Sequence, residues 1–395
     1  MRRTLHFVNI AHALDHYFLL IFPTAVLAIH PTWDLSYGAA LALGTPGFVA
    51  FALCTPLAGW LSDRYGERPL MAAFFIGIGL AAILTGLATG PVTLALGLTG
   101  IGIFAAIYHP VGTAMVVRVA RETGRALGVN GVYGNLGVAA AAGATGLITG
   151  YLGWRYAFII PGVITTGLGL AFLRIAEDVS AEAAKTGRSV TIDAPRAERM
   201  RVLAIVLTAA LFGGISFNGI TVALPKVFEE KIALGPDQIA AIGAYASLVF
   251  AAAAFTQIPV GRLLDRIGAK PIMFTMAGLQ AVLFMTLSQI DGYLAVLVAI
   301  PLMLAVFGEI PVGAWLIGRY VAPEWRGRVY SIQFLLTLGV SSAIVPIISV
   351  LYERTGSTAS LLMVMSAAMS VVFVLSWFLP GRARRATAAP QAVNP

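Results

Sequence analysis

The 395-residue chain contains a single cysteine, Cys54, so an internal disulfide is excluded. Charge is equally sparse. Asp, Glu, Lys and Arg make up 11% of the residues, where a soluble domain carries about 25%, and that deficit excludes an ordinary water-exposed surface. Two enzymatic signatures are missing as well. There is no His-Glu-x-x-His and no Gly-x-x-x-x-Gly-Lys-Ser/Thr, so neither a zinc hydrolase of that kind nor an ATP-driven pump is supported, and the chain is not expected to be an enzyme. A transport-like sensor would need an added signalling domain, and no stretch of these residues reads as one. The first apolar run is too long for a cleavable leader and lacks a small-residue cleavage site, so it is expected to stay as the insertion signal.

What is present is hydrophobic length. Apolar residues reach 58% of the chain and mean hydropathy is +0.87. A helix needs about 20 apolar residues to cross a bilayer core, and the sequence predicts twelve such spans, at 4–29, 37–61, 69–89, 92–118, 126–151, 154–174, 202–226, 237–262, 271–289, 293–319, 328–352 and 358–380. Spans this rich in Gly and Ala must satisfy every backbone amide internally, which favours helices over strands. The implied class is an all-α membrane protein.

Basic residues set the expected orientation. Of the 26 Lys and Arg, 22 fall in the termini and in the loops on the same side, and Arg155, Lys226, Lys231 and Arg354 fall on the other. By the positive-inside rule both termini are cytoplasmic. The expected location is a bacterial inner membrane. The net charge of +8 then reflects topology and attraction to anionic lipid heads, with no nucleic-acid partner expected. The reading divides the chain into a six-span bundle at 1–174, a polar cytoplasmic linker at 175–201, a second bundle at 202–381 and a disordered tail at 382–395.

The chain repeats itself. Gly59-Trp60-Leu61-Ser62-Asp63-Arg64-Tyr65-Gly66-Glu67-Arg68, read as a charged loop, recurs as Gly261-Arg262-Leu263-Leu264-Asp265-Arg266-Ile267-Gly268-Ala269-Lys270 at an offset of 202 residues. Pro110-Val111-Gly112 matches Pro311-Val312-Gly313, and Leu136-Gly137-Val138 matches Leu338-Gly339-Val340. Because each half has an even number of spans, the halves are parallel repeats, related by a pseudo-two-fold axis along the membrane normal. In transporters built this way the substrate site lies near the midplane between the halves.

Twelve spans in a 6+6 layout, with Gly-x-Leu-x-Asp-Arg-x-Gly-x-Arg after the second and a worn copy after the eighth, resemble the major facilitator superfamily over essentially the whole chain. The resemblance implies that the loop charges latch one state of the carrier at the cytoplasmic face. Asp63, Arg64 and Arg68 would then be latch residues, with Asp265 and Arg266 in the second copy. Gly59 and Gly66 would permit the close turn, with Gly261 at the matching place, and the intact first copy is expected to be the stronger latch. His12-Ala13-Leu14-Asp15 and His109-Pro110 add a likeness to fosmidomycin-resistance efflux carriers. The chain departs from proton-coupled drug antiporters in having no Arg in the middle of the fourth span and no Gly-Pro signature in the fifth.

Ionisable groups at membrane depth are costly enough to be functional by default. Asp15 and Glu309 are the acidic residues inside spans and away from their ends, joined by His12, His16 and His109. Asp15 lies twelve residues from Arg3, His109 nine from Arg118 and Glu309 ten from Arg319, which at 1.5 Å per residue is roughly 14 to 18 Å from the cytoplasmic border. Low dielectric disfavours the charged form of carboxylate and imidazolium alike, which poises both for proton exchange. Asp15, Glu309 and His109 are therefore the expected proton-coupling groups. Tyr108, Tyr133, Asn135, Ser216, Asn218, Tyr245, Trp315 and Gln333, with His12 and His16, are the expected substrate-cavity residues. His12 and His16, at i and i+4, have metal-ligand spacing but no firm third ligand, so no metal or cofactor is assigned. The glycines Gly128, Gly131, Gly134, Gly137, Gly143, Gly146 and Gly150 read as the surface over which the halves rock. The expected function is a monomeric secondary carrier moving a small molecule by alternating access, through proton-coupled efflux or, alternatively, proton-coupled uptake of an organic solute, with a metal ion or chelate as a further option.

Overall fold

Proline position explains where several spans break. The computed structural model describes residues 2–119, 123–176, 194–235 and 238–381. Its first half comprises α1 (Arg2–Thr32), α2 (Tyr37–Ala42), α3 (Thr45–Tyr65), α4 (Glu67–Gly86), α5 (Pro91–Ala105), α6 (Tyr108–Val119), α7 (Thr123–Leu152) and α8 (Trp154–Ile175). The second comprises α9 (Arg196–Ile232), α10 (Ile239–Ala253), α11 (Gln257–Ile267), α12 (Ala269–Gln289), α13 (Leu294–Tyr320), α14 (Pro323–Thr355) and α15 (Ala359–Ser376). Breaks fall between α2 and α3, α5 and α6, and α10 and α11, close to Ala42, Ala106 and Phe255. Each of these carbonyls lies four residues before a proline, at 46, 110 and 259, whose missing N–H leaves it without its helical donor. Elsewhere helices run through their prolines, as α13 does at Pro301 and Pro311.

Joined across those breaks, the elements make, among the described residues, twelve helical segments long and apolar enough to cross a membrane. Among the described residues there is no strand. Leu84, Val92, Leu96 and Leu297 are exposed on the outer surface, where acyl chains rather than water suit them. The seventh span starts at Arg196, so the end of the expected linker is helical. Residues 177–193 of that linker, including Glu177, Asp178, Glu182, Lys185, Arg188 and Asp193, lie outside the described residues, as do Arg121 and the tail at 382–395.

The stretch at 59–68 is not a loop. Helix α3 runs to Tyr65 and α4 starts at Glu67, leaving Gly66 alone at the corner with φ 91°. Gly268, at φ 84°, does the same between α11 and α12. That region of φ is open to glycine at no steric cost, so a single residue turns the chain. Gly59 lies inside α3 against Pro110 and Gly261 inside α11, so neither forms the turn.

Two seams join the halves. Helix α7 packs on α10, and α2 with α3 packs on α14. Small residues allow the first: a Cβ on Gly146 would lie 2.8 Å from the Gly243 Cα, and Gly143 and Gly150 meet Ser247 and Ala240. Gly134 and Gly137 instead face His12 and Ala13 of α1, within one half, so of the expected rocking surface Gly131, beside Gln257, and the later glycines Gly143, Gly146 and Gly150 meet the other half. Away from the chain termini, the second seam is closed by a polar cluster. The Ser36 hydroxyl donates to Glu353 at 2.5 Å and that of Ser349 to the Gly38 carbonyl at 2.6 Å. The Tyr37 and Tyr352 rings meet edge to face at 4.9 Å, with the Lys226 ammonium 4.8 and 5.2 Å from them.

Candidate functional site

A cavity of about 380 Å³ lies between the halves, walled by α1, α3, α6 and α7 from one side and α9, α11, α12, α13 and α14 from the other. That volume suits a small organic molecule. Of the expected site residues, His12, His16, His109, Asn135, Asn218, Glu309 and Gln333 line it.

The remaining expected residues sit elsewhere. Tyr108 is fully buried behind the wall, stacked on the His12 ring at 4.7 Å, and its hydroxyl donates to Asn130 Oδ1 at 3.0 Å. Ser216 is buried against Gln280. Tyr245 meets Tyr293 with ring centroids 5.9 Å apart, near the start of α13, and Tyr133 is half-buried; neither lines the cavity. Trp315 turns away and donates its indole N–H to Asp265 Oδ1 at 3.0 Å.

The first-half wall is built by a close helix crossing. A Cβ on Gly137 would sit 2.1 Å from the Ala13 carbonyl oxygen, so only glycine lets α7 lie this near α1. The approach brings the Asn130 carbonyl within 2.8 Å of His12 Nδ1, and because a carbonyl only accepts, that nitrogen carries the proton. Asn130 Nδ2 in turn donates to Asn9 Oδ1 at 2.9 Å. The break before α6 places His109 in its first turn, with Nε2 3.3 Å from Asp15 Oδ2. Asp15 is completely buried behind it, and its other oxygen, Oδ1, has no hydrogen-bond partner among the described residues.

The second-half wall holds a polar chain. The Ser216 hydroxyl donates to Gln280 Oε1 at 2.7 Å, and Gln280 Nε2 donates to Glu309 Oε2 at 2.5 Å. Beside it, Ser341 donates to Asn218 Oδ1 at 2.6 Å. Asn135 reaches across the seam to the Ala254 carbonyl at 3.1 Å. Sequence reasoning missed Asn9, Asn130 and Gln280. A buried amide on a lipid-crossing helix is costly unless bonded, and that cost is the signal that could have found them.

At the corner motifs, charges pair within each half. Glu67 Oε1 lies 2.8 Å from Arg118 Nε, and Arg68 donates to the Ala176 and Leu173 carbonyls at the end of α8. Asp265 accepts from Trp315 and Arg319. Asp63 and Arg64 are exposed, with Arg64 5.8 Å from the Trp60 and Tyr65 rings, and Asp63 has no ion pair among the described residues.

Two six-helix bundles enclosing a central cavity define a membrane transporter. The chain belongs to the Major Facilitator Superfamily, whose profile matches residues 5–246 and 206–394. It is 33% identical over 150 residues to the puromycin resistance protein of Streptomyces alboniger, covering 37% of this chain and 29% of that protein. It is 29% identical over 283 residues to a probable 4-methylmuconolactone transporter of Cupriavidus pinatubonensis, covering 67% of this chain and 63% of that one. The chain thus matches less than two thirds of the length of either relative. Among solved structures it resembles the D-xylose-proton symporter, at 16% identity and a TM-score of 0.76 over 96% of this chain and 98% of that one. It also resembles a bacterial homologue of the human lysosomal transporter Spinster in an inward-facing, occupied conformation, at 15% identity and a TM-score of 0.74 over 96% of each chain. At such identities these two likenesses speak for the fold.

Proposed function

We propose that the chain is a proton-coupled secondary carrier that exports a small molecule across the bacterial inner membrane by alternating access. One observation carries this reading: the carboxyl of Glu309 stands in the cavity wall, oriented by Gln280, which Ser216 holds in turn. A carboxyl there can exchange a proton with whatever the cavity admits, and the amide that fixes it keeps the exchange at one place. Asp15 and His109, from the other half, are its proposed partners in coupling. With both termini cytoplasmic, the polar cluster of Tyr37, Tyr352, Lys226 and Glu353 closes the outer end, and the cavity is served from the cytoplasm, the side from which an exporter loads. The carrier works as a monomer, because each chain contains both halves.

The puromycin-resistance relative supports export. The second reading, uptake by proton symport, is supported by the 4-methylmuconolactone transporter relative and by a cavity wall with Asn135, Asn218, Gln257 and Gln333, which suits a hydroxyl- or carbonyl-bearing solute. Liposomes carrying the purified protein and an imposed pH gradient test both. Substrate accumulation against the proton flow indicates antiport and accumulation with it symport. Glu309→Gln should abolish gradient-driven flux while substrate counterflow persists, and full driven flux in that variant would reject the coupling assignment.

A further inference from the structure

Three histidines meet in the cavity wall. His12 and His16 stand one turn apart on α1, and the break before α6 delivers His109 beside them. Ring centroids are 5.0 Å apart for His12 and His16, and 5.6 Å from each of these to His109. One ring nitrogen from each lies within 4.8 Å of the other two. We propose that this triad binds a divalent transition-metal ion of the Co²⁺, Ni²⁺, Zn²⁺ class, and that such an ion, bare or carrying a small ligand, is cargo of the carrier. The cargo assignment rests on the transporter reading above; the site itself does not.

Three features support a metal over a merely packed histidine cluster. First, two of the rings have the outer partners that orient metal-binding imidazoles. His12 holds its Nδ1 proton on the Asn130 carbonyl, which leaves Nε2 as its lone-pair donor, and His109 turns Nε2 toward a carboxylate. A metal-binding histidine usually donates its other ring N–H to a carboxylate or carbonyl behind it, which fixes the tautomer and the ring orientation. Second, Asp15 is completely buried, with Oδ2 3.3 Å from His109 Nε2 and Oδ1 without a hydrogen bond among the described residues. A buried negative charge needs a counter-charge, and a divalent ion on the His109 ring would supply it. Third, imidazole donors select the borderline transition metals over Mg²⁺ or Ca²⁺, which prefer oxygen.

Three protein ligands also leave a coordination position open. A closed four-ligand site holds its ion permanently, whereas an open one can exchange it. All three rings line the cavity, so the open position is reachable from the space where cargo binds. Tetrahedral binding at 2.0–2.1 Å places ligand nitrogens about 3.3 Å apart, so loading from a spacing of up to 4.8 Å requires the rings to draw together by up to about 1.5 Å.

The test uses the purified full-length protein and Co²⁺ alone, followed by its visible absorption. One equivalent should bind. His12→Ala, His16→Ala and His109→Ala should each weaken binding at least ~10-fold, and Asp15→Asn by ~10- to 100-fold, as losing the group that orients a ligand does. His30→Ala, at the other end of α1, should leave binding unchanged. X-ray absorption on the unaltered protein loaded with Co²⁺ should show imidazole scattering from three rings, a readout independent of whether any variant folds. Absence of imidazole ligands, or binding that survives the triple substitution, overturns the proposal. Co²⁺ binding with no gradient-driven flux of any cargo would keep the metal site and reject the carrier reading. Driven flux of an organic solute with no Co²⁺ binding would do the reverse.

Discussion

Glu67 and Arg118 form an ion pair at 2.8 Å that ties the first corner motif to the end of the fourth span, with the Glu67 side chain only 6% exposed. The motif's acidic anchor in this state is therefore Glu67 and not Asp63, which is exposed. Replacing Glu67 by Gln should cost about 1–3 kcal/mol, the range for a charge-assisted bond whose other partner is partly solvated. Asp63→Asn should cost less than ~0.5 kcal/mol, as for an exposed position without special contacts. Thermal unfolding of the two variants in detergent checks the difference.

If Asp63 latches the carrier, it does so in a state other than this one. Asp63→Asn should then alter turnover in liposomes while leaving the melting temperature unchanged. Unchanged turnover and unchanged state populations would remove Asp63 from the latch.

The crossing of α1 and α7 depends on Gly137, where a Cβ would fall 2.1 Å from the Ala13 carbonyl oxygen. Backbone cannot yield there as a flexible side chain would. Gly137→Leu should destabilise by ~1–3 kcal/mol or more through overpacking. It should also loosen His12 from Asn130, weakening any ligand held by the histidine wall. Gly128→Leu, where nothing lies within 4 Å of a Cβ, is the matched control and should not destabilise the protein.

Tyr37 and Tyr352, with Lys226 against both rings, bridge the two halves at the end away from the termini. Tyr352→Ala should open that end more often. In a Cys54→Ser background, a reporter cysteine at Ala209 in the cavity wall should then react faster with a membrane-impermeant thiol reagent applied from outside cells. No acceleration would mean that the ring pair does not gate access.

Gln280 connects Ser216 to Glu309, and its own exposure is 1%. Gln280→Met keeps the volume and removes both bonds. Driven flux should fall by ~10-fold or more, as when a positioned proton-transfer group loses its geometry, whereas Gln289→Met, near the end of α12, should not change it.

Much of this protein is legible along the chain because a bilayer imposes one-dimensional rules. Span length, the side on which basic residues collect, and a 202-residue repeat all survive without coordinates. The expected depth of Asp15, His109 and Glu309 likewise comes from residue count alone, since helical rise converts count into depth. Rotation about each helix axis was not legible, and it decided which candidates reach the cavity: His16, Asn218 and Gln333 do, while Tyr108, Ser216 and Trp315 turn to partners behind or beyond the wall. The third histidine of the triad arrives from ninety-three residues away, between His16 and His109, through a helix break and a glycine-permitted crossing. Composition and spacing thus determined that the chain is a duplicated, twelve-span membrane protein, because hydropathy and charge act locally. Only the tertiary structure decided which side chains share a wall, because that depends on how near two helices approach and which faces they turn to one another.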